Sequence, residues 1–145
     1  MDEATVQAKL REARVARLAT VDMEGHPHLV PVCFVYNGKA FYTPLDLKPK
    51  RVAPRRLARV RHIQGQPHVA LLIDEYQEDW ERLWYILVQG TAVLLSASHG
   101  MEHTEAQRLL KEKYTQYAAG LLPDDAPLIR IISEQILSWA SAPSQ

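Results

Sequence analysis

The chain opens with apolar residues at helical spacing. Val6 and Leu10 lie four apart and Ala13 completes the stripe, which predicts a helix from Asp2 to about Ala13 with Asp2 as its cap. At Val15 the period changes. The run to Asp22 reads as a strand, and Met23-Glu24-Gly25 turns the chain. His28 to Tyr36 (HLVPVCFVY) predicts a second, more apolar strand. Pro31 within it cannot donate a ladder hydrogen bond, so it requires an edge position or a bulge. Asn37-Gly38 is the strongest short hairpin signal, and it returns the chain as a third strand, Ala40 to Thr43.

Pro44 to Gln66 differs in kind. Pro54 suits the first turn of a helix, to which Leu57 and Val60 give a modest apolar face. Val69 to Asp74 is a nearly continuous apolar strand. The charged stretch Glu75 to Arg82 separates it from another within Trp84 to Leu95, where Gly90 invites a bend. Thr104 followed by Gln107 has capping-box spacing and predicts a helix to about Tyr117. Pro123 to Pro127 reads as a loop, and Leu128 to Ala140 as a strand pair around Ser133-Glu134. Six or seven strands, mostly antiparallel, with three helices make a mainly β fold of one domain over residues 1–145. The opening meander excludes a Rossmann-type start, and closing the sheet into a barrel removes its exposed edges.

Composition narrows the functions. Seventeen basic and seventeen acidic residues cancel, so no whole-molecule field draws the protein to nucleic acid or anionic lipid, and anion binding has to be local. The single cysteine, Cys33, excludes an internal disulfide and a cysteine-based zinc site within one chain; in its apolar strand it reads as a buried, inert thiol. The N-terminal stretch is too charged for a signal peptide and no apolar run approaches a membrane span, so the expectation is a cytoplasmic protein without membrane partners.

The chemistry concentrates in Lys48 to Arg61 (KPKRVAPRRLARVR), with Lys48, Lys50, Arg51, Arg55, Arg56, Arg59 and Arg61 and no acidic residue between Asp46 and Asp74. A loop of this charge running into a helix N-terminus suits a phosphate. A solvated basic helix face has the same spacing. A nucleic-acid patch requires a larger basic surface interleaved with aromatics, which this segment lacks.

The stretch ATVDMEGHPHLVPVCFVYNGKAFYTPLDLKPKR resembles the start of the pyridoxamine 5'-phosphate oxidase-like split barrels, and the resemblance continues through QPHVALLIDEY, LWYILVQGTAVLL and LIRIISEQILSWA. It implies a split β-barrel that binds a flavin-type cofactor between the two chains of a homodimer. In the vitamin-B6 oxidases the second strand carries two basic residues, one for the FMN phosphate and one near the substrate. Val30 and Val35 match those places, which argues against oxidation of pyridoxamine phosphate. DLKPKRVAPRRL followed by DEYQEDWERLWYI is similar to the small actinobacterial-type proteins proposed to use the deazaflavin coenzyme F420. That subfamily implies an F420-dependent oxidoreductase acting on a small electron-poor molecule, with an FMN reductase or a non-catalytic cofactor carrier as the alternatives. Carried over residue by residue, the resemblance implies that Tyr42 and Thr43 lie beside the ring and phosphate, and that Lys48 is the first phosphate ligand. Lys50, Arg51 and Arg56 are then further phosphate or tail contacts. Pro31, Val32 and Cys33 face the ring, and Trp84 and Tyr85 come from the partner subunit.

Other candidates are weaker. His99 and His103 flank Glu102, but Gly100 interrupts and no H-E-x-x-H order exists, so no metal is expected there. His26, His28, His62 and His68 have no carboxylate partner evident from spacing. The acidic run Asp74 to Glu81 reads as a solvated loop or a partner for the basic segment. Trp80, Trp84 and Trp139 are core or interface anchors.

Overall fold

The computed structural model describes residues 1–45 and 57–141. Lys48, Lys50, Arg51, Pro54, Arg55 and Arg56 lie outside the described residues. Seven strands form one sheet in the order β2-β1-β5-β6-β7-β4-β3, and every neighbouring pair is antiparallel.

The first helix, α1 (Glu3–Glu12), is capped by Asp2, whose carboxylate accepts from the Thr5 backbone N–H at 2.8 Å. Val6 and Leu10 are its buried stripe. Next, β1 (Ala16–Val21) turns at Gly25, which takes φ +86°, into β2 (Pro27–Val32). Strand β2 lies at the sheet edge, where the missing N–H of Pro31 is tolerated. The predicted strand His28–Tyr36 is in fact two. It breaks at Cys33-Phe34, after which β3 (Val35–Tyr36) pairs with β4 (Ala40–Pro44) at the other end of the sheet. Between them Gly38 adopts φ +93°, and Asn37 Oδ1 accepts from the Lys39 and Ala40 N–H groups at 2.9 and 2.8 Å. The two edge strands are joined by two residues with no ladder between them among the described residues. This leaves the barrel split.

The helix α2 (Ala58–Gly65) buries Val60 and Ile63, and its cap position, Leu57, supplies no side-chain hydrogen bond. It leads into β5 (His68–Glu75) and, past a 3₁₀ turn at Trp80–Arg82, into β6 (Trp84–Leu95). The third helix, α3 (Met101–Lys113), starts three residues before Thr104 and stops short of Tyr117. Thr104 therefore lies inside the first turn, where its hydroxyl donates to the Gly100 carbonyl at 3.2 Å. Tyr117 belongs to a 3₁₀ turn, Thr115–Ala119. The last segment is one strand, β7 (Leu128–Ala140), and not a pair. Its register with β6 shifts at Gln89/Gly90, so Glu134 is the extra residue that Gly90↔Ser133 and Gln89↔Gln135 step over.

Two cores result. Inside the barrel, Leu18, Phe34, Phe41, Leu71, Ile73, Ile86, Val88 and Ile131 meet α1 and α2. On the far side of β4 and β7, Val35, Tyr42, Leu95 and Leu128 meet α3 through Ala106 and Leu110. No helix among the described residues is long and apolar enough to cross a membrane.

Candidate functional site

At the split, the side chains of β2 and its exit alternate. Pro31 points outward, Val32 into the barrel core, and Cys33 lies half-buried against the α3 core. The Cys33-Phe34 link is gripped from a distance. Tyr114 Oη accepts from the Phe34 N–H at 3.0 Å, and the ammonium of Lys113 donates to the Phe34 carbonyl at 2.9 Å and lies 4.3 Å from the Phe34 ring. Burial and the neighbouring Arg14 push the Lys113 amine down to about 8, and burial pushes the Tyr114 phenol up to about 12.

On β4 the two predicted residues face opposite ways. Tyr42 is buried in the α3 core and its hydroxyl donates to Glu102 at 2.7 Å, while Arg130 donates to the other carboxylate oxygen at 2.8 Å. Burial and this carboxylate raise the Tyr42 phenol to about 12, and the same hydrogen bond lowers Glu102. Thr43 is only 1% exposed, and its hydroxyl has no hydrogen-bond partner among the described residues. Leaving a buried hydroxyl unmet costs ~1–3 kcal/mol.

Trp84 packs on the barrel core, donates Nε1–H to Glu75 at 3.0 Å and carries the Lys9 ammonium 4.2 Å above its ring. Tyr85 is exposed and stacks on Trp139 at 5.9 Å, an anchor that sequence spacing could not pair with it. The register ties Tyr85 to the Pro31 end of the sheet. Pro31 faces Arg17, which bonds Asp74 at 2.9 Å, and Asp74 faces Tyr85. Tyr42 instead lies at the other end of β6, since it pairs with Arg130 and Arg130 with Val93. Eight residues of strand separate Val93 from Tyr85, up to ~26 Å of chain. Along the sheet of one chain, Tyr42 and Thr43 thus sit at the opposite end of β6 from Tyr85.

Beside the Arg17–Asp74 pair, the outer sheet face carries a group of apolar side chains. Leu29 (69% exposed), Leu137 (44%), Tyr85 (41%) and Trp139 (45%) share it with Ala19, Ala70, Leu72 and Leu87. Beside the β6/β7 bulge it sinks into a depression of about 420 Å³, with Ala19 and Ala70 in its floor and Gln89, Gln135, Glu134 and His68 around it. Glu134 accepts from the Thr91 hydroxyl at 2.6 Å, and His68 is 3.9 Å away.

The histidines also find carboxylates that spacing did not reveal. Asp22 Oδ2 lies 3.2 Å from His28 Nε2 and 3.4 Å from His26 Nδ1. Of the pair weighed as metal ligands, His99 Nδ1 accepts from the Ser96 N–H at 3.0 Å, and His103 is buried and bonds the Ala126 carbonyl at 2.8 Å. Both rings are thus committed to local structure.

A family model described as pyridoxamine 5'-phosphate oxidase matches residues 2–140. No curated protein matches by sequence. Among solved structures, the heme storage protein HutZ of Vibrio cholerae is similar, with a TM-score of 0.73 and 18% identity over 95% of this chain and 93% of that one. A FAD-binding protein of Mesorhizobium loti gives a TM-score of 0.67 and 21% identity, over 95% and 92%. An F420 reductase gives 0.64 and 17%, over 90% and 94%. At such identities these likenesses show the fold alone.

Proposed function

Because this chain belongs to the pyridoxamine 5'-phosphate oxidase family, we propose that it binds a flavin-type redox cofactor, coenzyme F420 before FMN, and acts as an oxidoreductase on a small electron-poor molecule. The observation that carries this reading is the Thr43 hydroxyl, buried and without a partner among the described residues where β4 runs into the basic segment. A cofactor phosphate held by Lys48, Lys50, Arg51 and Arg56 offers that hydroxyl the acceptor it lacks. When bound, a reduced deazaflavin supplies a hydride to an electron-poor acceptor. The chain's own part is to hold and orient the ring against the split edge at Pro31, Val32 and Cys33. Val35 is buried in the α3 core and Val30 is partly buried against the barrel core. Neither position offers a charge to a phosphate, which speaks against the vitamin-B6 oxidation itself.

The site is composite. Tyr85 lies far along the sheet from Thr43 in one chain, and it comes to the same cofactor when a second copy covers the outer face, whereas Trp84 points to the barrel core and is left out of this site. This makes the working form a homodimer, with Tyr85 and Trp139 in its interface. The F420 reductase and the FAD-binding protein of the same fold support a flavin-type guest.

Separate titrations of the protein with F420 and FMN, followed by tryptophan quenching, test the reading. Thr43→Val is expected to leave the cofactor-free protein at least as stable, because an unmet hydroxyl is removed, and to weaken binding about tenfold, which is ~1.4 kcal/mol. Tighter binding of F420 keeps the first cofactor, and a preference for FMN makes this an FMN protein. Tight binding without turnover of a quinone or nitroaromatic acceptor makes it a carrier. No binding of either removes the proposal.

A further inference from the structure

The helix that follows the basic segment is fastened to the barrel by a histidine contact. His62 of α2 bonds the Thr20 hydroxyl through Nδ1 at 2.8 Å, and Thr20 is buried on β1. The His62 ring packs on His28 of β2 with centroids 4.3 Å apart and planes tilted by 45°. His28 is held in turn by Asp22, 3.2 Å from its Nε2. Asp22 is fixed by the β1–β2 turn, where its Oδ1 accepts from the Glu24 and His26 N–H groups at 2.9 Å each. A pocket of about 560 Å³ opens over this contact, lined by Asp22, Met23, Glu24, His28, Ala58, Arg61 and His62.

We propose that the His28–His62 contact is a proton-operated latch, which holds α2 on the barrel while the rings are not both charged and loosens it when both are protonated. Charging both places two cations at stacking distance with Arg61 as a third. The turn answers with the Asp22 carboxylate, held strongly ionised by its backbone hydrogen bonds, and with the exposed Glu24, which His26 shares at 3.7 Å. Of the strands with the most extensive contact to α2, β1 brings Thr20 and β6 carries no charged residue. Burial, then the charge of His28, already hold His62 below its ordinary range. The rest of the attachment is slight. The helix is eight residues long, buries two apolar side chains and lacks a side-chain cap, so it belongs to the part of a fold that opens first. The latch does not depend on which cofactor, if any, the protein binds.

Amide hydrogen exchange over Ala58–Gly65, corrected for the intrinsic pH dependence, tests it near pH 7.5 and near pH 5.5, the range in which imidazoles titrate. Protection of α2 relative to α3 is expected to fall about tenfold on acidification, and by less than about twofold in His28→Gln and in His62→Gln, each of which leaves a single titrating ring. His28 is partly exposed, so its variant is expected to fold. Unchanged protection of α2 in the acidified wild type, or a fall that persists in either variant, overturns the latch.

Discussion

Gly90 has no room for a side chain. A methyl group there would meet the carbonyl oxygen of Ile132 at 2.2 Å and the Cα of Ser133 at 3.1 Å, both backbone atoms of the paired strand. The bulge that sets Glu134 aside needs this close approach, so Gly90→Ala is expected to destabilise the fold by ~1–3 kcal/mol, read as a lower urea midpoint at an unchanged slope. Lys113 makes a second residue-scale prediction. Its amine is held near 8 in the folded chain, against an ordinary value of 10.5. Between those values the unfolded chain binds more protons than the folded one, so stability rises with pH across that window. The rise is smaller than the full shift implies, because the amine is partly open to solvent. The gain in urea midpoint from pH 8 to pH 10 is expected to shrink in Lys113→Met; equal gains in both proteins would contradict the assignment.

At the scale of elements, the decisive contact is the grip on Phe34. The Tyr114 hydroxyl accepts from the Phe34 N–H and bonds the Arg14 carbonyl at 2.8 Å, so one side chain ties the β2–β3 break to the start of β1. Phe34 is fully buried, and Tyr114→Phe leaves its N–H unmet. Thermal or urea unfolding is expected to show a loss of ~1–3 kcal/mol. The same contact explains what the sequence concealed. HLVPVCFVY reads as one strand because its local pattern is continuous. It breaks because Val32 pairs with Ala16 while Val35 pairs with Tyr42, and because the group that captures Phe34 comes from 80 residues away. Ser133-Glu134 reads as a turn for a similar reason: polar residues mid-run are punctuation locally, and only the glycine on the facing strand turns them into a bulge. Elements set by local chemistry were legible, among them the Asp2 cap, the Asn37-Gly38 hairpin and the apolar run of β5. The candidate site was legible only in part. Thr43 was marked by its motif, whereas the contact of Asp22, His28 and His62 joins residues up to 40 positions apart, with no spacing rule to flag it.

For the whole molecule, the outer sheet face and the proposed cofactor site make a single claim. A chain with no net charge does not repel its own copy, and the outer face exposes Leu29, Leu137, Tyr85 and Trp139, apolar side chains that a second copy would take out of water. If a second copy covers it, Thr43 of one chain and Tyr85 of the other serve the same cofactor. Two variants that each bind weakly, Thr43→Val and Tyr85→Ala, are then complementary. Unfolded together and refolded as a mixture, half the dimers are mixed, and each mixed dimer holds one site with both native residues and one with neither. About a quarter of all sites are expected to regain native affinity, counted by cofactor titration of the mixture. A site built within one chain would regain none. Sedimentation separates this outcome from a failure to associate. The wild type is expected at twice the 16.5 kDa chain mass, and Leu137→Lys with Trp139→Lys at the chain mass itself. A dimer that shows no complementation would keep the interface and move the cofactor into a single chain.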